Sequence, residues 1–424
     1  MRKTTAIVFA GGRVKELSVL TFFRPKAAVV YGGGYRVIDF TLTNLASTPS
    51  IENVGILTKY RPSSLIDHVG IGLAWDFVGA KRGVRILAPY VGPDHEEWQH
   101  GTTDALYQNI DFLHMHRADD VLVVGADHAY FMDFEPMLRF HMERAADVTV
   151  AFTPVNENAS RFGIAELNSQ GRIVSYMEKP EHPRTNLASM TVYVFRSEAL
   201  IEELTSLMER SAKPTSFQIY DDILPRMIER RAAYGWVHDG DWDYTRTLDA
   251  YYRVHQDMLG DSPRIDFSKR VVRTNPLGRR VAPPGPTRFG PHAEVIDSLI
   301  CAGCRIDGRV ERSVLSPNVE VGKGAVVKNS ILWNDTVVEP GAKVDMVISD
   351  KRCVIGKEAR VGIGDETLPN RELPTSLSCG ATVLGMEVVV PNGARIGRNC
   401  IIYPRAGSDE IGRTITSGTT LRMP

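Results

Sequence analysis

The segment TAIVFAGGR, residues 5–13, is an apolar run that ends on two glycines and an arginine. Such a run predicts a buried strand, and the glycines predict a tight turn after it. Further strand-like runs follow along the sequence: NVGILTK, VLVVGAD, VTVAFTPV, MTVYVF and AYGWVHD. Stretches with helical spacing alternate with them: TTDALYQNIDFLHMH, SEALIEELTSLMER and TLDAYYRVHQDML. The alternation predicts an α/β domain with a Rossmann-like, mostly parallel sheet over residues 1–260.

The last third of the chain repeats with a period of six. Aliphatic residues recur at that step in several pairs: Val321 and Val327, Ile355 and Val361, Val383 and Val389, and Ile396 and Ile402. Glycines and small residues lie between them, which predicts the hexapeptide coils of a parallel β-helix over residues 292–424, with a loop at 365–380. A β-sandwich with chance spacing is the alternative. The proline-rich stretch VAPPGPTRFGP predicts a linker over residues 261–291, because it can continue neither a helix nor a central strand.

Charge and cysteine content restrict the classes of partner. With 50 basic and 51 acidic residues the formal net charge is −1, so the chain has no net field for nucleic acid or an anionic membrane. The apolar stretch near Met1 is too short for a signal segment or a membrane span. The five cysteines, an odd number in the last third of the chain, fit thiols in a reducing compartment, and we interpret Cys301 and Cys304 as small packed residues rather than a zinc or redox site. We therefore expect a cytoplasmic protein with a small-molecule substrate, no nucleic-acid partner and no membrane.

Cationic residues collect after the first predicted strand. Gly11 and Gly12 allow backbone N–H groups to approach a phosphate, and Arg13 supplies a charge that matches phosphate oxygens. A structural turn is the alternative for these residues. Arg24 and Lys26 follow at close range, so the sequence predicts three cations at the edge where open α/β sheets bind ligands.

A helix N-terminus is a second candidate site. Gly101, Thr102 and Asp104 open a predicted helix shortly after Trp98, and small residues at a helix N-terminus suit a nucleotide or an anion. An ordinary cap, with Thr102 as N-cap, is the alternative.

Carboxylates end two later strands. Asp127 ends VLVVGAD, where a carboxylate needs a hydrogen bond or a metal ion, and magnesium is the expected ion if the substrate is a nucleoside triphosphate. A turn cap is the alternative. In YMEKP, Glu178 and Lys179 suit a sugar hydroxyl and a sugar phosphate, respectively, although many such triplets are solvated strand ends.

A series of motifs resembles one enzyme family along essentially the whole chain: AGGR, RPKAAV, GGGYRVIDFTLTN, WQHGTTDALYQN, GADHAY, RFGIAEL, YMEKP, LASMTVYVF and TLDAYYRVH. In this order they are similar to the motifs of ADP-glucose pyrophosphorylase, also called glucose-1-phosphate adenylyltransferase. The resemblance implies a Rossmann-like nucleotidyltransferase domain followed by a left-handed β-helix, assembled as a homotetramer. It also implies transfer of an adenylyl group from ATP to glucose 1-phosphate, with Mg²⁺, to give ADP-glucose and pyrophosphate.

The resemblance implies residue roles as well. It assigns catalysis to Arg13, Lys26 and Asp127, with Asp127 as the metal ligand. It assigns nucleotide binding to Gly11, Gly12, Arg13, Trp98, Gly101, Thr102 and Asp104. It assigns sugar-phosphate binding to Gly163, Glu178, Lys179, Ser189 and Tyr193.

The sequence departs from the family pattern near the phosphates. The family loop G-G-R-G-T-R-L corresponds to residues 11–17, which places Glu16 where the second arginine is expected. The family segment W-R-D-V-G-T-L corresponds to residues 242–248, which places Tyr244 where a second metal carboxylate is expected. Two replacements remain open: Asp239, Asp241 or Asp243 for the carboxylate, and Arg246 for the charge missing at position 16. Phe23 replaces a lysine tied to regulation, so the regulatory ligand is open too.

These departures leave alternatives to an active adenylyltransferase. One is a catalytically weak or inactive regulatory subunit that works with a competent relative, and the other is a nucleotidyltransferase that uses a different nucleotide.

Overall fold

The computed structural model describes the following residues: 2–90, 99–156, 159–208, 216–277, 283–365 and 367–422. The predicted site residue Trp98 lies outside them. The chain divides into two compact units. The first unit comprises residues 1–12, 38–62 and 69–243, and the second comprises 13–37, 63–68 and 244–424.

A nine-stranded sheet forms the first unit. Its strands are β1 Thr4–Phe9, β2 Ile51–Leu57, β3 Gly83–Leu87, β4 Asp120–Gly125, β5 Val148–Pro154, β6 Gly163–Leu167, β7 Ile173–Glu178, β8 Leu187–Arg196 and β9 Ala233–Val237. The strand order is β7-β6-β8-β4-β1-β2-β3, and β5 pairs with β8 and β9. Short strands form two further pairs: Val30–Tyr31 with Tyr35–Arg36, and Ala129–Tyr130 with Trp242–Asp243.

The sheet is parallel in one half and mixed in the other, where β9 runs parallel to β5. Strands β3, β2, β1 and β4 are parallel neighbours, whereas β8 runs antiparallel to β4, β5 and β6. The Rossmann-like α/β class is thus confirmed. The antiparallel edge formed by β6 and β7 carries mixed polar and apolar residues, with Met177 59 % exposed, so it lacks the continuous apolar run that identifies a buried strand.

The helices among the described residues are short. They are α1 Val37–Ala46, α2 Ser63–Val69, α3 Thr102–Tyr107, α4 Ile110–His116, α5 Glu135–Glu143, α6 Ser197–Met208, α7 Leu224–Arg230, α8 Leu248–Gln256 and α9 Ser408–Ile411. Segments Lys15–Thr21, Lys26–Ala28, Leu73–Trp75 and Ala159–Arg161 are 3₁₀-helical, and Ile219–Ile223 is a π-helical turn. The stretch predicted as one helix over 102–116 is divided at Asn109, whose φ and ψ are −114° and 20°. The Asn109 amide donates to the carbonyl of Ala105 at 2.9 Å, a local bond that competes with continuation of the helix.

The second unit contains a left-handed β-helix with three faces of parallel strands. The first face contains Arg288–Phe289, Arg305–Ile306, Glu320–Val321, Val337–Val338, Val354–Ile355 and Val389–Val390. The second contains Glu294–Ile296, Arg309–Glu311, Val326–Lys328, Lys343–Asp345, Arg360–Ile363, Arg395–Gly397 and Thr414–Ile415. The third contains Leu299–Ile300, Val314–Leu315, Ile331–Leu332, Val347–Ser349, Thr382–Leu384, Ile401–Ile402 and Thr420–Leu421.

The six-residue period marks the side chains that point into the coils. Val321, Val327, Ile355 and Val361 are at most 2 % exposed, because each packs against the equivalent residue of the next coil. One pair was predicted with the wrong phase: Val389 is 41 % exposed, and the buried pair at that step is Leu384 and Val390. Three adjacent valines, at 388, 389 and 390, leave the phase ambiguous in the sequence.

The first coil strand, Arg288–Phe289, begins inside the segment predicted as a linker, and α9 is a short helix within the coils. The domain boundaries at 260 and 291 remain predictions. Within the described residues, no helix has the length and apolarity needed to cross a membrane.

Candidate active site

The two glycines after β1 have different surroundings. A Cβ on Gly11 would lie 2.6 Å from the backbone nitrogen of Lys59, whereas a Cβ on Gly12 would meet nothing within 4 Å. The carbonyl of Gly11 also accepts a bond from the Tyr60 N–H at 3.1 Å. Gly11 is therefore needed for the packing of β1 against the segment after β2, while the exposed Gly12 leaves room for a ligand.

The start of α3 is fixed by contacts within the protein. Gly101 is the N-cap residue, and a Cβ on it would lie 2.2 Å from the carbonyl oxygen of Phe217. The Thr102 hydroxyl accepts from the Ile219 N–H and donates to Gln218, both at 3.0 Å, so the alternative of Thr102 as N-cap is wrong. Asp104 accepts from the His100 N–H at 2.8 Å. These side chains position the loop around residue 217 as well as the helix.

Asp127 is held by a hydrogen-bonded chain. It follows β4 by two residues and is 37 % exposed, and His128 Nε2 lies 2.9 Å from its Oδ1. The indole N–H of Trp242 donates to His128 Nδ1 at 2.8 Å. Because an indole nitrogen can only donate, Nδ1 is the acceptor and Nε2 carries the proton that is donated to Asp127. No local pattern singled out His128, although it lies in the GADHAY motif.

Strand β7 brings carboxylate, phenol and ammonium groups together. Gly163 is paired with Glu178 in the β6–β7 register. The Tyr176 hydroxyl donates to Glu178 Oε2 at 3.2 Å, and Lys179 Nζ lies 3.0 Å from Glu178 Oε1. A Cβ on Gly163 would lie 2.0 Å from the Tyr176 hydroxyl, so glycine is required for this arrangement. Tyr176 was quoted within YMEKP but was not predicted as a site residue.

Ser189 and Tyr193 belong to the same cluster. Ser189 is 7 % and Tyr193 2 % exposed on β8. Burial raises the pKa of Tyr193 above its ordinary value, an effect that the hydrogen bond from Ser189 opposes and the Glu178 charge reinforces. Burial likewise raises the pKa of Tyr176, with Tyr193 and Glu178 adding to it. The phenols are therefore neutral hydrogen-bonding groups, and the predicted residues Gly163, Glu178, Lys179, Ser189 and Tyr193 lie together.

In the second unit, Lys26 and the divergent positions form another cluster. Lys26 is 1 % exposed, and its Nζ lies 4.4 Å from the centroid of the Tyr244 ring. Arg246 Nε lies 3.1 Å from Glu16 Oε1, and Arg246 Nη1 lies 3.3 Å from the Tyr244 hydroxyl. The segments around residues 16 and 244, which depart from the family pattern, are therefore in contact. Arg13 is exposed in the same unit.

Arg24 does not join this cluster as a ligand cation, which corrects the prediction of three convergent cations. Its guanidinium is 2 % exposed and forms a two-pronged pair with Asp350, at 2.7 and 3.0 Å. It also lies over the ring of Trp333, 5.2 Å from the centroid. The partner is 326 residues away in sequence, so local pattern gave no indication of it.

The carboxylates suit a metal ion that is partly held by substrate. Asp127 presents a partly exposed carboxylate, and Asp243, 4 % exposed, is paired with Ala129 two residues beyond it. Among the described residues, no group of three or more His, Cys, Asp or Glu side chains is arranged to hold a metal. One or two carboxylates combined with substrate phosphates are the usual ligands of Mg²⁺. The residues therefore fit such an ion.

Comparison with known proteins identifies two segments. Residues 5–260 match the family model described as nucleotidyl transferase. Residues 286–377 match the model described as GlmU-like, C-terminal hexapeptide.

Curated relatives match nearly the whole chain. A glucose-1-phosphate adenylyltransferase of Thermomicrobium roseum is 40 % identical over 425 residues, which cover 99 % of this chain and 98 % of the relative. One of Acetivibrio thermocellus is 36 % identical over 415 residues, covering 96 % and 95 %. One of Geobacillus stearothermophilus is 38 % identical over 332 residues, covering 77 % and 84 %.

Proposed function

Because the chain belongs to the glucose-1-phosphate adenylyltransferase family, we propose that it transfers the adenylyl group of ATP to glucose 1-phosphate, forming ADP-glucose and pyrophosphate. The observation that carries the proposal is the cluster of Gly163, Glu178, Lys179, Ser189 and Tyr193. It combines a carboxylate, an ammonium and neutral hydroxyl groups, which are the groups needed to bind a sugar and its phosphate.

The reaction needs positioning and charge compensation rather than a covalent intermediate. A phosphate oxygen of glucose 1-phosphate attacks the α-phosphorus of ATP in line, and pyrophosphate leaves. Glu178 accepts hydrogen bonds from sugar hydroxyls, and Lys179 binds the sugar phosphate. Lys179 has a φ of 47°, and its Nζ lies 3.0 Å from Glu178 Oε1, so the two groups lie side by side.

On the nucleotide side, we assign the phosphates to Gly12, Arg13 and Lys26, and Gly11 to the turn that shapes the loop. The open space at Gly12 supports this assignment, since a phosphate can approach its backbone N–H. The base and ribose are assigned to the α3 segment with Gly101, Thr102 and Asp104, and to Trp98. The internal contacts of Thr102 and Asp104 support a role in shaping that pocket.

Nucleotidyl transferases use a divalent metal ion, and we propose that Mg²⁺ is the ion here. Asp127 would hold it, with Asp243 as the second carboxylate because Asp243 pairs with Ala129, two residues after Asp127. The ion would neutralise charge on the phosphates. His128 and Trp242 fix the rotamer of Asp127 for that purpose.

We further propose a cytoplasmic homotetramer. ATP is a cytoplasmic substrate, and the described cysteines are thiols. The first coil exposes Phe289, Val295 and Ile296 by 38–59 %, apolar surface of the kind that subunits bury. Size-exclusion chromatography with light scattering distinguishes a tetramer from a monomer or a dimer.

Product identification tests the proposal. The purified chain is incubated with Mg²⁺, glucose 1-phosphate and one of ATP, UTP, GTP or dTTP, and the nucleotide sugar is identified by mass spectrometry. ADP-glucose formed with ATP at a rate at least roughly tenfold above the other nucleotides is the expected result. Preferential formation of another nucleotide sugar would overturn the assignment of ATP.

A further inference from the structure

Arg246 lies in a cluster of side chains that are far apart in sequence. Its guanidinium pairs with Glu16 at 3.1 Å across 230 residues, and it also contacts the Tyr244 hydroxyl at 3.3 Å. The face of the same tyrosine contacts Lys26, whose Nζ is 4.4 Å from the ring centroid. Tyr244 therefore contacts two cations: Arg246 at its hydroxyl group and Lys26 on the face of its ring. We call Glu16, Lys26, Tyr244 and Arg246 the arginine cluster.

The groups of the arginine cluster differ in access to solvent. Lys26 is 1 % exposed, whereas Arg246 and Glu16 are 37 % and 36 % exposed. An ion pair with this exposure contributes little to stability, so its partners exchange readily. The guanidinium fork matches phosphate oxygens, and a polyphosphate carries more negative charge than one carboxylate.

We propose that Arg246 is a phosphate-binding residue of this protein, which acts beside Lys26 on the polyphosphate of the nucleotide and on pyrophosphate in the reverse reaction. Glu16 is a positioning residue. Its carboxylate holds the Arg246 guanidinium until the polyphosphate takes the place of that carboxylate. The identification of the ligand as a nucleotide polyphosphate rests on the proposed function. The placement of Arg246 near Lys26 rests on their contacts with Tyr244.

The proposal explains how a carboxylate is tolerated at position 16. The family pattern has an arginine at position 16 and a carboxylate at position 244. This chain has a carboxylate at 16 and a cation at 246, so the summed charge of positions 16, 244 and 246 is the same as in the family pattern. Arg246 thus supplies a cation in place of the arginine that the family pattern has at position 16.

Substitution of Arg246 tests the role directly. Isothermal titration of the full chain with pyrophosphate, and steady-state kinetics with ATP, are measured for Arg246→Ala and Arg246→Lys. We expect Arg246→Ala to weaken pyrophosphate binding and raise the KM for ATP by roughly 10- to 100-fold, with the KM for glucose 1-phosphate unchanged. Arg246→Lys should recover part of the loss. The control is Arg309→Ala, because Arg309 is 38 % exposed and pairs with Glu294 and Glu311 in the β-helix.

Substitution of Glu16 gives the opposite sign. Glu16→Gln keeps an acceptor for Arg246 Nε but removes the competing negative charge, so pyrophosphate binding should tighten by roughly two- to fivefold. A purely structural ion pair predicts that both substitutions lower thermal stability and leave pyrophosphate affinity unchanged, and that result would overturn the proposal.

The outcomes separate this inference from the proposed function. Loss of pyrophosphate binding in Arg246→Ala, in a chain whose wild type makes no ADP-glucose, would refute the function and support the inference. Normal ADP-glucose synthesis with unchanged constants in Arg246→Ala would support the function and refute the inference. A wild type that does not bind pyrophosphate also refutes it.

Discussion

Two sets of candidate residues differ in how the fold brings them together. The sheet-borne set, Asp127, Gly163, Glu178, Ser189 and Tyr193, lies on or just after strands of the first unit, and the register of β6, β7 and β8 sets its neighbours. The arginine cluster of the second unit joins positions 16 and 26 to positions 244 and 246. In the first set each residue keeps the type expected from the resemblance. In the second set Glu16 and Tyr244 depart from the expected residue types, and Arg246 contacts both of them.

The largest expected effect is on the sheet-borne set. Asp127→Asn should lower the rate of pyrophosphate release by roughly a thousandfold or more, because an amide cannot replace a carboxylate as a metal ligand. Binding of Mn²⁺, followed by electron paramagnetic resonance, should weaken in parallel. Asp111→Asn, on the exposed face of α4, is the control. A loss no larger than that of Arg246→Ala would remove the distinction between the two sets.

The scaffold of the arginine cluster predicts a pH effect on stability. His255 Nε2 accepts from the N–H of Gly32 in the segment after Lys26, and burial lowers the pKa of His255 from 6.5 to about 4, partly opposed by its bond to the Tyr251 carbonyl. Between pH 6.5 and pH 4, His255 is therefore protonated in the unfolded chain and neutral in the folded chain. The contribution, about 3 kcal/mol, is complete above pH 6.5 and disappears as pH falls to 4.

Urea unfolding at pH 7 and pH 5 checks this prediction. The free energy of unfolding should fall by about 2 kcal/mol more in the wild type than in His255→Gln, which cannot titrate. Equal losses in both proteins would show that His255 does not couple this segment to pH.

Substitutions of two glycines distinguish a glycine that is needed for packing from one that is needed for ligand access. Gly163→Ala should lower stability by about 1–3 kcal/mol and raise the KM for glucose 1-phosphate, because its Cβ would lie 2.0 Å from the Tyr176 hydroxyl and 2.7 Å from Glu178 Oε2. Gly12→Ala, with open space around its Cβ, should change stability by less than about 0.5 kcal/mol while it raises the KM for ATP several-fold. Thermal unfolding and steady-state kinetics measure both effects. Equal loss of stability in the two variants would contradict the surroundings of these glycines.

The last prediction concerns the orientation of Asp127. Trp242→Phe removes the donor to His128 Nδ1, which frees the imidazole to take the other tautomer. We expect kcat to fall by roughly tenfold, with little change in the KM for glucose 1-phosphate. Trp236→Phe, on β9 and stacked on His238, is the matched control. An unchanged kcat would show that Asp127 does not depend on this chain of bonds.

Much of the fold is evident in the sequence because its signals are local. Apolar runs predicted β1, β2, β4, β5, β8 and β9, and the six-residue step predicted the coils. The misses have physical causes: the side chain of Asn109 divides a predicted helix, and the run of Val388, Val389 and Val390 hides the phase of a coil.

The site was less predictable because its contacts are distant in sequence. Motifs placed Gly163, Glu178 and Ser189 together, since strand register follows from the fold. No pattern indicated that Asp350 pairs with Arg24 or that His128 links Trp242 to Asp127. The comparison with the family pattern singled out Arg246 as a replacement for the charge at position 16, but not its ion pair with Glu16.

The most direct test of the account is turnover by the wild-type chain on its own. Pyrophosphate release is measured with Mg²⁺, ATP and glucose 1-phosphate, with no relative added. The account predicts a kcat in the ordinary enzymatic range of roughly 1–1,000 s⁻¹, because Arg246 and Lys26 still supply cations for the phosphates. Absence of release from a folded chain that binds ATP would contradict it and identify a regulatory subunit that requires a competent partner.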